Sequence, residues 1–119
     1  MANTMAVSRT EQGTTQFQGM FSEMWGVTGT VTDQDAIADD VSVRITLTVP
    51  GVALGDMVLG CAFGAALYDA NSQLIVTSFV SAANEVVIVL ANVDETTDAY
   101  DADVLNGGGF KMIIGRPAW

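Results

Sequence analysis

Residues 41–49, VSVRITLTV, alternate without interruption between apolar and polar side chains. Val41, Val43, Ile45, Leu47 and Val49 share one side, and Ser42, Arg44, Thr46 and Thr48 share the other. A period of two is the geometry of a β-strand, in which successive side chains point to opposite faces. Nine residues of it predict a half-buried strand. Pro50-Gly51 then stops the strand, because proline gives no N–H to a ladder and glycine accepts a reversed backbone angle. Gly55-Asp56 is a second turn signal, so Pro50, Gly51, Gly55 and Asp56 are read as structural turn residues. From Met57 to Leu67 the chain is almost wholly apolar. That run predicts a strand covered on both faces, since Gly60 and Gly64 would cost a helix about 1 kcal/mol each.

The same reading extends along the chain. VTGTVT at 27–32 alternates and is rich in residues that suit a pleated surface. DQDAIADD at 33–40 reads as a loop, and Tyr68–Ser72 as a turn. QLIVTSFVSA (73–82) and EVVIVLAN (85–92) predict an antiparallel hairpin closed by Ala83-Asn84. An acidic loop covers 93–109, and FKMIIG predicts a final strand before a short tail at 116–119. Six or seven short strands with Gly, Pro and Asn turns predict an all-β fold. The expected architecture is an antiparallel β-sandwich or a jelly-roll-like barrel.

Residues 1–26 look different and are expected to form an N-terminal arm ahead of a β-domain over 27–119. Phe17, Met20, Phe21 and Met24 fit the i, i+3, i+4, i+7 template of one helical face, and Trp25 adjoins them. Such a helix or arm could pack on its own domain or reach a neighbouring subunit. With Trp119 at the tail, these large apolar side chains are the candidate contact residues, because buried aromatic groups dominate contact energetics.

Charge and composition narrow the function. At 119 residues the chain makes one domain. Half its residues are hydrophobic and only 15% are charged. That is apolar for so small a domain, and it points to a β core, to surface covered by other subunits, or to both. The net charge is −10, with four basic residues at Arg9, Arg44, Lys111 and Arg116. No cluster of Lys and Arg exists to meet a phosphate backbone or an anionic membrane. The N-terminus shows no signal-peptide pattern, and no apolar stretch is long enough for a membrane span. A protein that remains in the cell producing it is therefore expected.

The chemical inventory argues against an enzyme. No histidine is present, which removes the commonest general base and metal ligand. Cys61 stands alone in an apolar run and reads as a buried, inert thiol. The glycines at 107–109 precede a strand, so they form no phosphate cradle. Asp94, Glu95, Asp98, Asp101 and Asp103, with Asp33, Asp35, Asp39 and Asp40, offer oxygen ligands of the kind calcium takes. Their spacing matches no calcium loop, so a solvated acidic surface accounts for them. No cofactor or metal is expected.

TLTVPGVALGDMVLG, SAANEVVIVLAN and the closing GGGFKMIIG resemble a pattern found in small bacteriophage head proteins. The pattern runs strand, V-P-G-x-x-x-G-D, apolar strand, S-A-x-x-x-V strand ending in Asn, loop, and final strand. The resemblance spans about residues 43–115 and rests on turns and strands. CAFGAALYDANSQL and the 93–109 loop are longer than the pattern. The resemblance implies a capsid decoration, or cement, protein: a β-sandwich or jelly-roll unit, often a homotrimer. Such a unit sits on the exterior of the virion shell and holds copies of the major capsid protein together. It would be made in the host cytoplasm and would bind neither nucleic acid nor membrane. The alternative reading is a phage fibre-type or carbohydrate-binding module using surface aromatics.

Overall fold

A computed structural model describes residues 5–12, 20–32, 37–38, 41–64, 67, 73–93 and 108–119. Seven strands make up the fold: β1 (Met5–Gln12), β2 (Phe21–Val31), β3 (Ser42–Thr48), β4 (Met57–Phe63), β5 (Leu74–Ala82), β6 (Glu85–Asn92) and β7 (Gly109–Pro117). They form a four-stranded sheet, β1-β2-β7-β4, and a three-stranded sheet, β3-β6-β5. Every pairing is antiparallel. The two sheets face each other across one core, so the molecule is a β-sandwich.

That core is the inward row of each strand. Trp25, Val27 and Val31 come from β2, and Ile45 and Leu47 from β3. Val86, Ile88 and Leu90 from β6 meet Phe110, Met112 and Ile114 from β7. β3 behaves as its alternation requires: Ile45, Leu47 and the following Val49 are at most 2% exposed, while Ser42, Arg44, Thr46 and Thr48 face water. Val41 precedes the strand proper and is exposed. Ile37, from the acidic segment read as a loop, is buried in the core as well. The Asn92 amide holds it there by donating to the Ile37 carbonyl at 2.9 Å, which satisfies a buried polar group.

Two expectations change. The helical face through Met20, Phe21 and Met24 does not form, because Phe21–Val31 is one continuous strand. Its period-two residues Trp25, Val27 and Val31 enter the core, and β7 supplies a full ladder partner. A few residues at helical spacing cannot outweigh that pairing, and Gly26 and Gly29 weaken any helix further. A boundary at residue 26 falls within β2, and Met5–Gln12 forms a further strand beside it. Phe17 lies outside the described residues.

The second change concerns β4. The apolar run ends as a strand at Phe63 and is not covered on both faces. β4 is an edge strand, and Met57 and Leu59 are each 43% exposed. β6 comes nearest to that expectation, with Val87 buried on the outer side and Val86 and Ile88 on the inner, while Val89 and Ala91 stay partly exposed. Its central place between β3 and β5 is the reason.

Candidate functional site

The outer face of the four-stranded sheet gathers most of the expected contact residues. Along β7, Phe110, Met112 and Ile114 point inward, so Lys111, Ile113 and Gly115 point outward. Ladder partners share a face: Met24 and Met57 flank Gly115, Gly26 and Gly60 flank Ile113, and Thr28 and Ala62 flank Lys111. Lys111 is the one charge among these nine positions of β2, β7 and β4.

Two irregularities give the face its relief. The β2–β7 register shifts between Phe21 and Glu23, and the β4–β7 register shifts between Val58 and Gly60. A bulge re-aims a side chain, and here both bulges send a large apolar group over Gly115. A Cβ built on Gly115 would lie 2.7 Å from the Phe21 ring and 3.3 Å from Leu59. Glycine is what lets Phe21 lie down on the sheet and become buried. Trp119 then leans on Phe21 with ring centroids 6.1 Å apart, and the Ala118 N–H donates to the Met20 carbonyl at 2.9 Å. Around this nucleus Met20 is 57% exposed, Ile113 51% and Trp119 78%.

Trp25 has a different role. It is buried on the opposite side of β2 and belongs to the core. The Arg116 guanidinium lies over its ring, 5.1 Å from the centroid, a favourable placement of cation on aromatic face. Arg116 also grips the crossover between the sheets. Its Nε and one terminal nitrogen donate to the two oxygens of Asp56, its other terminal nitrogen donates to Glu23, and the Gly51 carbonyl accepts a further bond, each at 2.9 Å. Asp56 is in turn only 3% exposed at its side chain and accepts from the Ala53 N–H at 2.9 Å. Burial works to raise the Asp56 carboxyl, but the hydrogen bonds from Arg116 and Ala53 and the Arg116 charge together hold it below the usual carboxylate value.

The turn residues complete that clamp. Gly51 and Gly55 both sit at φ +98°, a conformation that costs any residue with a Cβ. The Gly51 N–H donates to the Asn84 side-chain oxygen at 2.8 Å, and the Asn84 N–H donates to the Val52 carbonyl at 2.7 Å. Asn84 itself takes the left-handed conformation at the tip of the β5–β6 hairpin. The Pro50–Asp56 segment therefore carries the chain from one sheet to the other and ties both sheets together. The turn signals were legible in sequence. Arg116 was not, because its partners lie 60 and 93 residues away.

Among the described residues few side chains offer chemistry for catalysis. Cys61 is partly buried and its thiol is pushed up to about 11 by desolvation, which keeps it protonated and unreactive. An open depression of about 330 Å³ at the far end of the face is lined by Thr28, Ala62, Phe63, Gly64, Phe110 and Lys111 among others, with Lys111 the only charged group among the described lining residues. Among the described residues no group of three metal-binding side chains occurs. Asp33, Asp35, Asp39, Asp40 and the 94–103 carboxylates lie outside the described residues. Likewise no helix of the described residues is long and apolar enough to cross a membrane.

No protein-family model matches the chain, and no curated protein or solved structure shows significant similarity to it.

Proposed function

We propose that this protein is a non-catalytic structural component of a virus particle, a decoration protein that assembles as a homotrimer and binds the outer surface of a phage head. It bridges neighbouring copies of the major capsid protein and toughens the shell. The observation that supports this reading is the outer face built on Gly115. There Met20, Met57, Leu59, Ile113 and Trp119 stay exposed around a buried Phe21. Exposed apolar groups in one patch mark a contact surface, and a shallow sheet face suits a broad protein partner better than a small substrate. Repetition of a modest contact at many symmetric sites on a shell yields tight attachment by avidity.

Co-sedimentation with shells of the parent virus stripped of this protein tests the reading. The wild-type chain is expected to pellet with shells. Ile113→Glu, which places a charge at the centre of the face, is expected to weaken binding by about tenfold or more, as loss of a central contact residue does. Binding unchanged by Ile113→Glu, or a glycan that binds the chain while shells do not, would overturn the proposal.

A further inference from the structure

The outward side of β7 carries a glycine near each end, and the two have opposite surroundings. Gly109, Lys111, Ile113 and Gly115 share that side, which sets the two glycines about 20 Å apart at strand spacing. Gly115 is buried, because the Phe21 ring lies over it, 2.7 Å from where a Cβ would stand. Gly109 is exposed. Among the described residues a Cβ built there would meet only the Gly29 carbonyl, at 3.5 Å. What stands at Gly109 instead is the open depression of about 330 Å³. Side chains are short around it: Gly29 comes from β2, Ala62 from β4, and Gly64, just past β4, donates its N–H to the Gly109 carbonyl at 2.9 Å. Phe63 belongs to the lining as well, half-buried, with its ring 6.1 Å from that of Phe110 between centroids.

We infer that this depression receives an aromatic side chain of the shell protein, laid on Gly109 as Phe21 is laid on Gly115. The assignment rests on the shell-binding reading and names what the partner presents to it. The molecule itself shows what such a place accepts: where β7 lacks a Cβ, a flat ring comes down on the backbone. A polar group buried in so apolar a lining would lose its hydrogen bonds to water without replacement. A ring instead finds the exposed part of Phe63 for a tilted contact of the kind aromatic pairs prefer. Lys111 is the only charge of the described lining and is itself exposed. An ammonium is drawn to an aromatic face and repels the guanidinium, the other flat side chain. An uncharged ring also meets no opposition from the net charge of −10. The depression is open, whereas sites for free small molecules enclose most of their ligand. A broad partner that carries the ring brings the missing wall with it. Lys111 and Ile113 are successive outward positions of β7, so the depression continues the exposed face, and a ring seated there is the kind of anchor that dominates contact energetics.

The test has two arms, both on the full chain, with circular dichroism confirming the fold of each variant. Gly109→Val fills the depression from within, since its Cβ meets only ordinary contact and a β-branched residue suits a strand. Thr46→Val places the same side chain on the exposed face of the other sheet. The first arm follows backbone amides by NMR during titration with N-acetyl-tryptophanamide, N-acetyl-leucinamide and N-acetyl-argininamide. The tryptophan probe is expected to give saturable shifts at Thr28, Gly64, Gly109 and Lys111, with about fivefold higher affinity than the other two. Those shifts should persist in Thr46→Val and vanish in Gly109→Val. No saturable shift, equal binding of the arginine probe, or binding that survives Gly109→Val would overturn the site. The second arm is co-sedimentation with the stripped shells, where Gly109→Val should weaken binding about tenfold and Thr46→Val should match wild type. Probe binding without that loss would assign the depression to a free aromatic compound and overturn the partner as its source, while loss on Ile113→Glu would keep the shell-binding proposal standing. A wild type that never pellets overturns that proposal and the partner's ring with it.

Discussion

β3 enters and β4 leaves the eight-residue crossover at 49–56, and both are apolar strands at the edge of a sheet. β3 places Ile45 and Leu47 inside and threonine, serine and arginine outside. β4 is the more hydrophobic of the two, yet it leaves Met57 and Leu59 nearly half exposed and buries no side chain fully. Hydrophobic content therefore does not measure burial. What a strand buries depends on what its sheet places opposite it, and the apolar surplus of β4 is surface that the single chain leaves uncovered.

Truncating a leucine in each strand breaks or supports that contrast most directly. Leu47, 1% exposed in the core, should lose about 2–5 kcal/mol of stability on replacement by alanine. Leu59→Ala should cost less than about 1 kcal/mol in a dilute chain, because nearly half its surface is already in water. Urea denaturation of both variants checks this, and equal losses would show β4 to be a buried strand after all.

Gly115→Ala probes how β4 and β2 meet over β7. Its methyl group would strike the Phe21 ring and crowd Leu59, so Phe21 must lift from the sheet. A cost of about 1–3 kcal/mol is expected, as for other overpacked sites, together with greater exposure of Trp119, readable as a red shift and increased quenching of its fluorescence. A stability equal to wild type would mean that the ring moves freely and that the face has no fixed relief.

The smallest effect belongs to the crossover itself. Asp56 is held below its ordinary value of 3.8 when folded. Its contribution is therefore complete above that unfolded value and is lost as pH falls through the lower folded one. Thermal melts of Asp56→Asn should show a modestly lower midpoint at neutral pH. The gap from wild type should begin to narrow below about pH 4, as the unfolded carboxylate takes up its proton, and close once the native one does so at lower pH. A gap that persists unchanged at acid pH would mean that the Arg116–Asp56 charge pair contributes nothing beyond shape.

Much of the fold was legible in the sequence because its signals are local. Alternation in 41–49, β-branched runs at 73–82 and 85–92, and turn chemistry at Pro50-Gly51, Gly55-Asp56 and Ala83-Asn84 all depend on residues a few positions apart. Where two local signals competed, the shorter one misled. Phe17, Met20, Phe21 and Met24 fit a helix by spacing, but β7 offers Phe21–Val31 a ladder that spacing cannot reveal. Ile37 was lost among four carboxylates for the same reason: its core neighbours come from distant strands. Of the candidate contact residues, Met20 and Trp119 stand exposed beside buried Phe21, while Trp25 is spent on the core.

Local sequence alone determined where β3, β5, β6 and β7 run, which face of β3 turns inward, and where the chain reverses, since backbone geometry and solvation act over two to four residues. Only the tertiary structure decided the rest. It made β6 a central strand and β4 an edge, set two bulges over one glycine, and brought Arg116 to Asp56 and Glu23. Those outcomes follow from the order in which strands pair, and pairing order depends on contacts between segments far apart in the chain, which no short stretch of residues encodes.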